Sequence, residues 1–153
     1  MQVDVRTASR RLSSPARSND AEMDHPETQI VERRTELVFP HETNQYGTLF
    51  GGRALAMMDV VASIAAMRAS RKPVVTASID RTDFKAPIRV GELVETIARV
   101  VRIGRTSITV DVELWAEHPV EGNRRLSTVG RFVMVAVGPD GRPTPVRDEP
   151  SPP

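Results

Sequence analysis

The chain reads as an α+β domain in which a curled antiparallel β-sheet wraps one long central helix. Three observations predict this. One helical pattern, Gly52–Ser70, is apolar around most of its circumference and needs cover on nearly all sides. One β-branched segment precedes it and several follow, with period-two alternation. The length of 153 residues, with 39% hydrophobic and 27% charged side chains, suits one globular domain with a real core.

Taken in order, Ile30–Phe39 has Val31, Thr35, Leu37 and Phe39 on one parity and stops before Pro40, as a strand would. Residues 44–51 form a loop, punctuated by Gly47, Gly51 and Gly52. The helix is built of alanine, methionine and leucine, strong helix formers, with Arg68, Arg71 and Lys72 at its negative pole and Pro73 as its stop. Val74–Asp80 is a β-branched strand, and Leu93–Ile103, Ser107–Trp115 and Leu126–Val137 are three longer ones. Ile108, Val110, Val112 and Leu114, then Phe132, Met134 and Ala136, mark their inner face. Thr109, Asp111 and Glu113 mark a wetter outer face. Gly104-Arg105 is a tight reversal that makes two of these strands an antiparallel hairpin. Strand, helix and then strands around a single helix is the layout of the hotdog fold, whose protomers pair into a continuous sheet, so an oligomer is expected.

The domain is expected over residues 29–138. Residues 1–28, rich in Arg, Ser, Asp and Pro, read as a disordered extension, and 139–153 as a proline-rich tail. With no cysteine there is no disulfide framework and no thiol nucleophile. A net charge of +1 gives no case for nucleic acid or an anionic membrane as partner. The longest apolar run, Ala54–Met67, is too short to span a bilayer, and no secretory signal pattern opens the sequence, so a cytoplasmic location is expected. The three histidines are scattered without ligand spacing, so no metal site is expected.

Asp59 stands alone in the oily sequence of the helix, where an ionised carboxylate needs a partner or a use. Its own face carries Leu55, Ala56, Ala62, Ser63 and Ala66, mostly small side chains that admit a close neighbour. It is either a general base beside an apolar tunnel or a carboxylate bound to a nearby amide or arginine. Gly51 and Gly52 open the helix, so their amides either form an oxyanion hole or simply make a loop-to-helix turn. Asn44 offers an amide to a carbonyl or a water, or serves as a turn residue beside Gly47. Gly104-Arg105-Thr106-Ser107 is either a grip for phosphate or a plain hairpin loop. His41 could pair with Asp59, though no serine in a nucleophile-elbow context accompanies it.

These blocks occur together and in order. Asn44-x-x-Gly47-x-x-Phe50-Gly51-Gly52 with Met58-Asp59, then Val75-Thr76-Ala77-Ser78-Ile79-Asp80, Phe84-x-x-Pro87-Ile88-x-Val90-Gly91-Glu92 and Gly104-Arg105-Thr106-Ser107 resemble the hotdog-fold acyl-CoA thioesterases over residues 32–137. The resemblance implies hydrolysis of acyl-CoA thioesters to fatty acid and coenzyme A, without a cofactor. It implies that Asn44 and Asp59 form a composite site across a dimer interface, with Asp59 as base or nucleophile and Asn44 orienting water or the thioester. It implies that the Gly52 amide, with Gly51, polarises the carbonyl. Thr76-Ala77-Ser78 would lie along the pantetheine arm and Gly104–Ser107 near the nucleotide. Members commonly assemble as trimers of dimers. An acyl tunnel is expected to be lined from two subunits by side chains such as Leu55, Met58, Ala62 and Ala66. Two other readings compete: a 3-hydroxyacyl dehydratase, which needs a histidine paired with an acid, and an acyl-CoA-binding sensor or scaffold without turnover.

Overall fold

The computed structural model describes residues 29–148; the expected disordered extension, 1–28, and the last five residues of the expected tail lie outside them. A five-stranded antiparallel sheet carries the fold, in the order β1 (Val31–Leu37), β3 (Leu93–Ile103), β4 (Ser107–His118), β5 (Gly122–Ala136) and β2 (Val74–Phe84). The helix α1 (Gly51–Ser70) packs on its concave face, and a short 3₁₀ turn, Pro40–Glu42, precedes it. This is the expected hotdog layout.

The inner face is the one the alternation marks. Ile108, Val110, Val112, Leu114, Phe132, Met134 and Ala136 are buried against Ala54, Met57, Met58, Val61, Ala62, Ala65 and Ala66 of the helix. Burying such side chains contributes about 1.5–3 kcal/mol for each large one. The outer face holds ion pairs that run across strands: Glu95 bridges Arg33 and Arg124, and Asp111 receives both ends of the Arg131 guanidinium. Arg124 also lies 4.8 Å over the Trp115 ring.

The helix is covered on one broad side only. Ala56, Val60 and Met67 remain exposed, because five strands reach round one side of a cylinder that is apolar on more than that. β2, β4 and β5 extend beyond their expected bounds, since cross-strand pairing carries polar residues such as Arg81 and Arg125 into the ladder.

Part of the expected tail belongs to the fold. After the turn at Gly138–Gly141 the chain returns: Thr144 N–H bonds to Ala136 O at 2.9 Å and Val146 N–H to Arg105 O at 2.8 Å. Val146 is 3% exposed, in the core. Lys72 Nζ ties this segment down through Pro145 O and Asp148 Oδ1, both at 2.7 Å. Pro143 and Pro145, which suggest a loose tail by composition, alternate with the two residues that donate, so the missing proline N–H groups cost no bond.

Candidate active site

Asp59 sits eight residues into α1, half-buried at the margin of the packed face. The Thr76 hydroxyl donates to its Oδ1 at 2.5 Å, and among the described residues its other oxygen accepts no hydrogen bond. Thr76 lies on β2, an edge strand whose middle, 75–81, is exposed. The register with β5 slips between Thr76 and Ser78 and again between Ile79 and Arg81, so Ala77 and Asp80 are bulged out of the pairing. Thr76, Ala77 and Ser78 thus form an open ledge beside the carboxylate. Ser78 Oγ donates to Asp80 Oδ1 at 3.0 Å along it.

The helix begins without a side-chain cap, Phe50 being its N-cap. Ala54 N–H closes the first bond, to Phe50 O at 2.9 Å, and the Gly51 and Gly52 amides donate to no described residue. Space is open where a Cβ on Gly52 would stand, whereas one on Gly51 would meet the Phe84 ring at 3.5 Å. Seven residues at 1.5 Å rise put Gly52 about 10 Å from Asp59 along the axis. A single chain therefore does not bring the free amides to the carboxylate.

Asn44 uses its side chain locally. Its Oδ1 accepts from Tyr46 N–H at 2.9 Å and Thr48 N–H at 3.2 Å, and its Nδ2 donates to Thr48 Oγ1 at 2.9 Å. This is the turn role open to an asparagine before glycine, and no hydrogen bond joins it to Asp59 within the chain. His41 stacks on Phe39, ring centroids 6.0 Å apart, and makes no hydrogen bond to Asp59 within the chain.

Two carboxylates that sequence reasoning passes over hold the Asn44 loop in place. Leu49 N–H bonds to Ile88 O at 2.7 Å and Val90 N–H to Gly47 O at 3.0 Å, which zips loop 44–49 onto loop 85–92. Glu42 locks one side: Phe39 N–H donates to its Oε2 at 3.0 Å and Arg53 Nε to its Oε1 at 2.7 Å. Glu92 locks the other, receiving Arg125 at 2.8 and 2.6 Å and Arg89 N–H at 2.7 Å. Both are held below the usual carboxylate range, Glu42 chiefly by the Phe39 amide and Glu92 chiefly by the Arg125 guanidinium. Glu92 closes a motif block, but nothing local points to Arg125, 33 residues on.

Gly104–Ser107 is the β3–β4 turn, closed by Gly104 N–H to Ser107 O at 2.8 Å. Ile108 pairs with Met134 and Met134 with Thr76, so this turn lies at the same end of the sheet as the Asp59–Thr76 pair. It lies two strand spacings away, about 10 Å. Arg105 is exposed there beside Pro145 and Arg147 of the returning segment.

The expected tunnel is not where Leu55, Met58, Ala62 and Ala66 place it. Met58, Ala62 and Ala66 are fully buried against the sheet, and only Leu55 reaches partial exposure. The open apolar space lies instead at the helix start: a cleft of about 370 Å³ lined by Leu49, Gly51, Ala54, Phe84, Ile88 and Thr128, among others. Among the described residues no cluster of His, Cys, Asp or Glu is arranged to hold a metal ion, and no helix is long and apolar enough to cross a membrane.

The model of the thioesterase superfamily matches residues 46–123. The acyl-CoA thioester hydrolase YciA of Salmonella typhimurium is 37% identical over 125 residues, covering 79% of this chain and 92% of its own. A solved hexameric acyl-CoA thioesterase without ligand superposes with a TM-score of 0.73 at 42% identity, over 75% of this chain and 74% of its own. The acyl-CoA hydrolase of Staphylococcus aureus, solved with butyryl coenzyme A and coenzyme A, gives 0.71 at 32% identity, over 75% and 70%. Alanine variants of that protein have been solved at an asparagine, at an aspartate fifteen residues later and at a threonine seventeen beyond that. Asn44, Asp59 and Thr76 stand at the same separations.

Proposed function

Since the chain belongs to the hotdog-fold acyl-CoA thioesterases of the thioesterase superfamily, we propose that it hydrolyses acyl-CoA thioesters at a site assembled from two protomers. The observation that carries this reading is the Asp59–Thr76 hydrogen bond of 2.5 Å, which holds one carboxylate oxygen and leaves the other without a bond among the described residues. The spacing shared with the Staphylococcus aureus variants supports the same three residues.

The second protomer enters through the edge. β2 exposes Val75 and Ile79, and its outer edge, the one turned away from β5, has no partner strand among the described residues; a free edge of this kind is a template for another strand. Pairing two β2 strands antiparallel inverts their ends. The Phe84 end, which carries Gly51 beside it, then meets the partner's Val74 end, which carries the Asp59–Thr76 pair. The free helix amides that stand about 10 Å from Asp59 in one chain approach Asp59 of the other. The solved relative is a hexamer; for this chain we propose a dimer as the catalytic unit and a trimer of dimers as the assembly.

In this site Asp59 takes a proton from water, and the water oxygen attacks the thioester carbon. The oxygen of the carbonyl gathers charge against the Gly52 amide, with Gly51, at the positive pole of α1. The C–S bond then breaks, the sulfur leaves as a thiolate and takes the proton held by Asp59 to become the coenzyme A thiol, and the acyl group leaves as a carboxylic acid. Asn44 orients water or the thioester with its second amide proton, which the turn does not use. Thr76, Ala77 and Ser78 lie along the pantetheine arm, and Gly104–Ser107, with the cation of Arg105, lies at the nucleotide end.

Release of free coenzyme A from acyl-CoAs, by the native protein, Asp59→Asn and Asn44→Ala, tests this. Both variants should lose turnover with the oligomer intact. Co-folding the two variants should restore activity, because a mixed dimer has one site with Asn44 from one chain and Asp59 from the other. A mixture no better than its parts would place both groups in the same chain. Tight acyl-CoA binding by the native protein without release would favour the sensor.

A further inference from the structure

Apart from Gly51, the cleft at the start of α1 is not used in the chemistry just described, and its lining is mostly apolar. We propose that it receives the first part of the acyl chain, and that Leu49, Ala54 and Phe84 set which chain lengths are turned over. The proposal rests on the thioesterase reading and deepens it.

Position comes first. Gly51 belongs both to the helix start, where the carbonyl oxygen is stabilised, and to the wall of the cleft. A chain leaving the thioester carbon therefore starts at the wall of the cleft, whose polar lining is Lys85, Ser127 and Thr128. The wall is mostly apolar: Leu49, Ala54, Phe84, Pro87 and Ile88 line it. Ile88 and Ala54 are each 3% exposed and join the hydrophobic core, so the floor is closed. The buried Thr128 adds one hydroxyl, whose described neighbour is Ser127 Oγ at 3.4 Å.

Rigidity follows from the same bonds that fix the Asn44 loop. Leu49 is tied to Ile88 through the backbone, and Arg125 clamps Pro87 O at 2.8 Å while holding Glu92. One wall cannot yield without breaking these. Phe84 stands at the mouth, its ring half-exposed and lying over Gly51.

The volume, about 370 Å³, lies at the low end of small-molecule sites, which run about 300–1,000 Å³. A short or medium chain fills it and a long one overruns it. Each methylene transferred from water to such a wall is worth about a fourfold gain in kcat/KM. The gain should continue with length until the cleft is full and then stop.

The test is a panel of saturated acyl-CoAs, from acetyl to palmitoyl, with the native protein, Leu49→Trp, Ala54→Leu and Phe84→Ala. In the native protein kcat/KM should climb and level off at medium length. Filling the cleft with either Leu49→Trp or Ala54→Leu should lower the ratio of octanoyl to acetyl kcat/KM about tenfold or more. Phe84→Ala, which opens the mouth, should move the plateau to longer chains. Leu49 is half-exposed, so its variant should fold even if Ala54→Leu overpacks. An unchanged octanoyl-to-acetyl ratio in folded, active Leu49→Trp protein would overturn the proposal and put the chain elsewhere, for instance against Leu55. Should the native protein release no coenzyme A, the thioesterase reading fails instead. The same ratio read from acyl-CoA dissociation constants by calorimetry then decides the cleft.

Discussion

Glu92 and Asp59 are both carboxylates at the margin of the core, yet the fold treats them in opposite ways. Glu92 is 6% exposed and saturated: two bonds from Arg125 and one from the Arg89 amide occupy its oxygens. Asp59 is half-buried and carries one described bond, from a threonine on an exposed, bulged edge strand. A buried carboxylate with both oxygens engaged can fix a loop but has little left for a substrate. One that is held by a single oxygen is oriented and still free to take a proton. The same contrast separates the two regions around them. The paired loops 44–49 and 85–92 are complete within one chain, while the β2 ledge has a neighbour strand on one side only and stands about 10 Å from the free amides at the start of α1.

The sharpest way to break the comparison is to remove charge at each end of it. Asp59→Asn keeps the shape and loses the base, so turnover should fall by about 10²–10⁴-fold while the melting temperature stays within a degree or two of native. A large loss of stability instead would show that Asp59 holds the structure together as Glu92 does. Glu92→Gln should do the reverse. It strands the Arg125 guanidinium, which is one-third exposed and so partly rescued by water, and should cost about 2–3 kcal/mol by chemical denaturation. If stability were unchanged, the two loops would be held by their backbone bonds alone.

Acid sharpens the point more gently. The folded state holds Glu42 and Glu92 below their unfolded values, so the unfolded chain binds protons first. Their contribution is fully present above the unfolded glutamate value, about 4.3, and is lost as pH falls through the lower folded values. Unfolding free energy should therefore drop on acidification below about pH 4.5, and the drop should be shallower in Glu92→Gln. Equal slopes in both proteins would assign the acid sensitivity to other groups.

Much of this was legible in advance where the signal is local. β3 runs over Leu93–Ile103, the bounds expected for that strand, and α1 starts one residue early because Gly51 already takes helical backbone. The pairing of Asp59 with Thr76 was not legible: seventeen residues and a helix-to-edge crossing separate them, and no periodicity links a helix face to a strand bulge. Glu42 with Arg53 and Glu92 with Arg125 escape for the same reason, since a long-range ion pair leaves no pattern in either segment. Composition misled at the C-terminus. Proline and glycine mark Gly138–Pro145 as irregular, which it is, but irregular backbone can still donate at Thr144 and Val146 and seat a valine in the core.

The smallest of the expected effects concerns that returning segment, and it asks whether its anchor resembles Glu92 or Asp59. Lys72 follows the left-handed Arg71 that ends α1, and its ammonium donates to Pro145 O and Asp148 Oδ1. The two acceptors are unequal. Asp148 is 91% exposed, so water screens that pair to a few tenths of a kcal/mol. The carbonyl is part-buried and keeps its bond. Lys72→Met should therefore cost about 1 kcal/mol, some 2–4 °C in melting temperature, and Asp148→Asn clearly less. Equal losses in the two variants would mean that the ion pair, and not the carbonyl, ties the segment to the helix. The order predicted here follows from burial alone, as it does for Glu92 and Asp59: confinement turns a polar contact into an anchor, and exposure leaves it available.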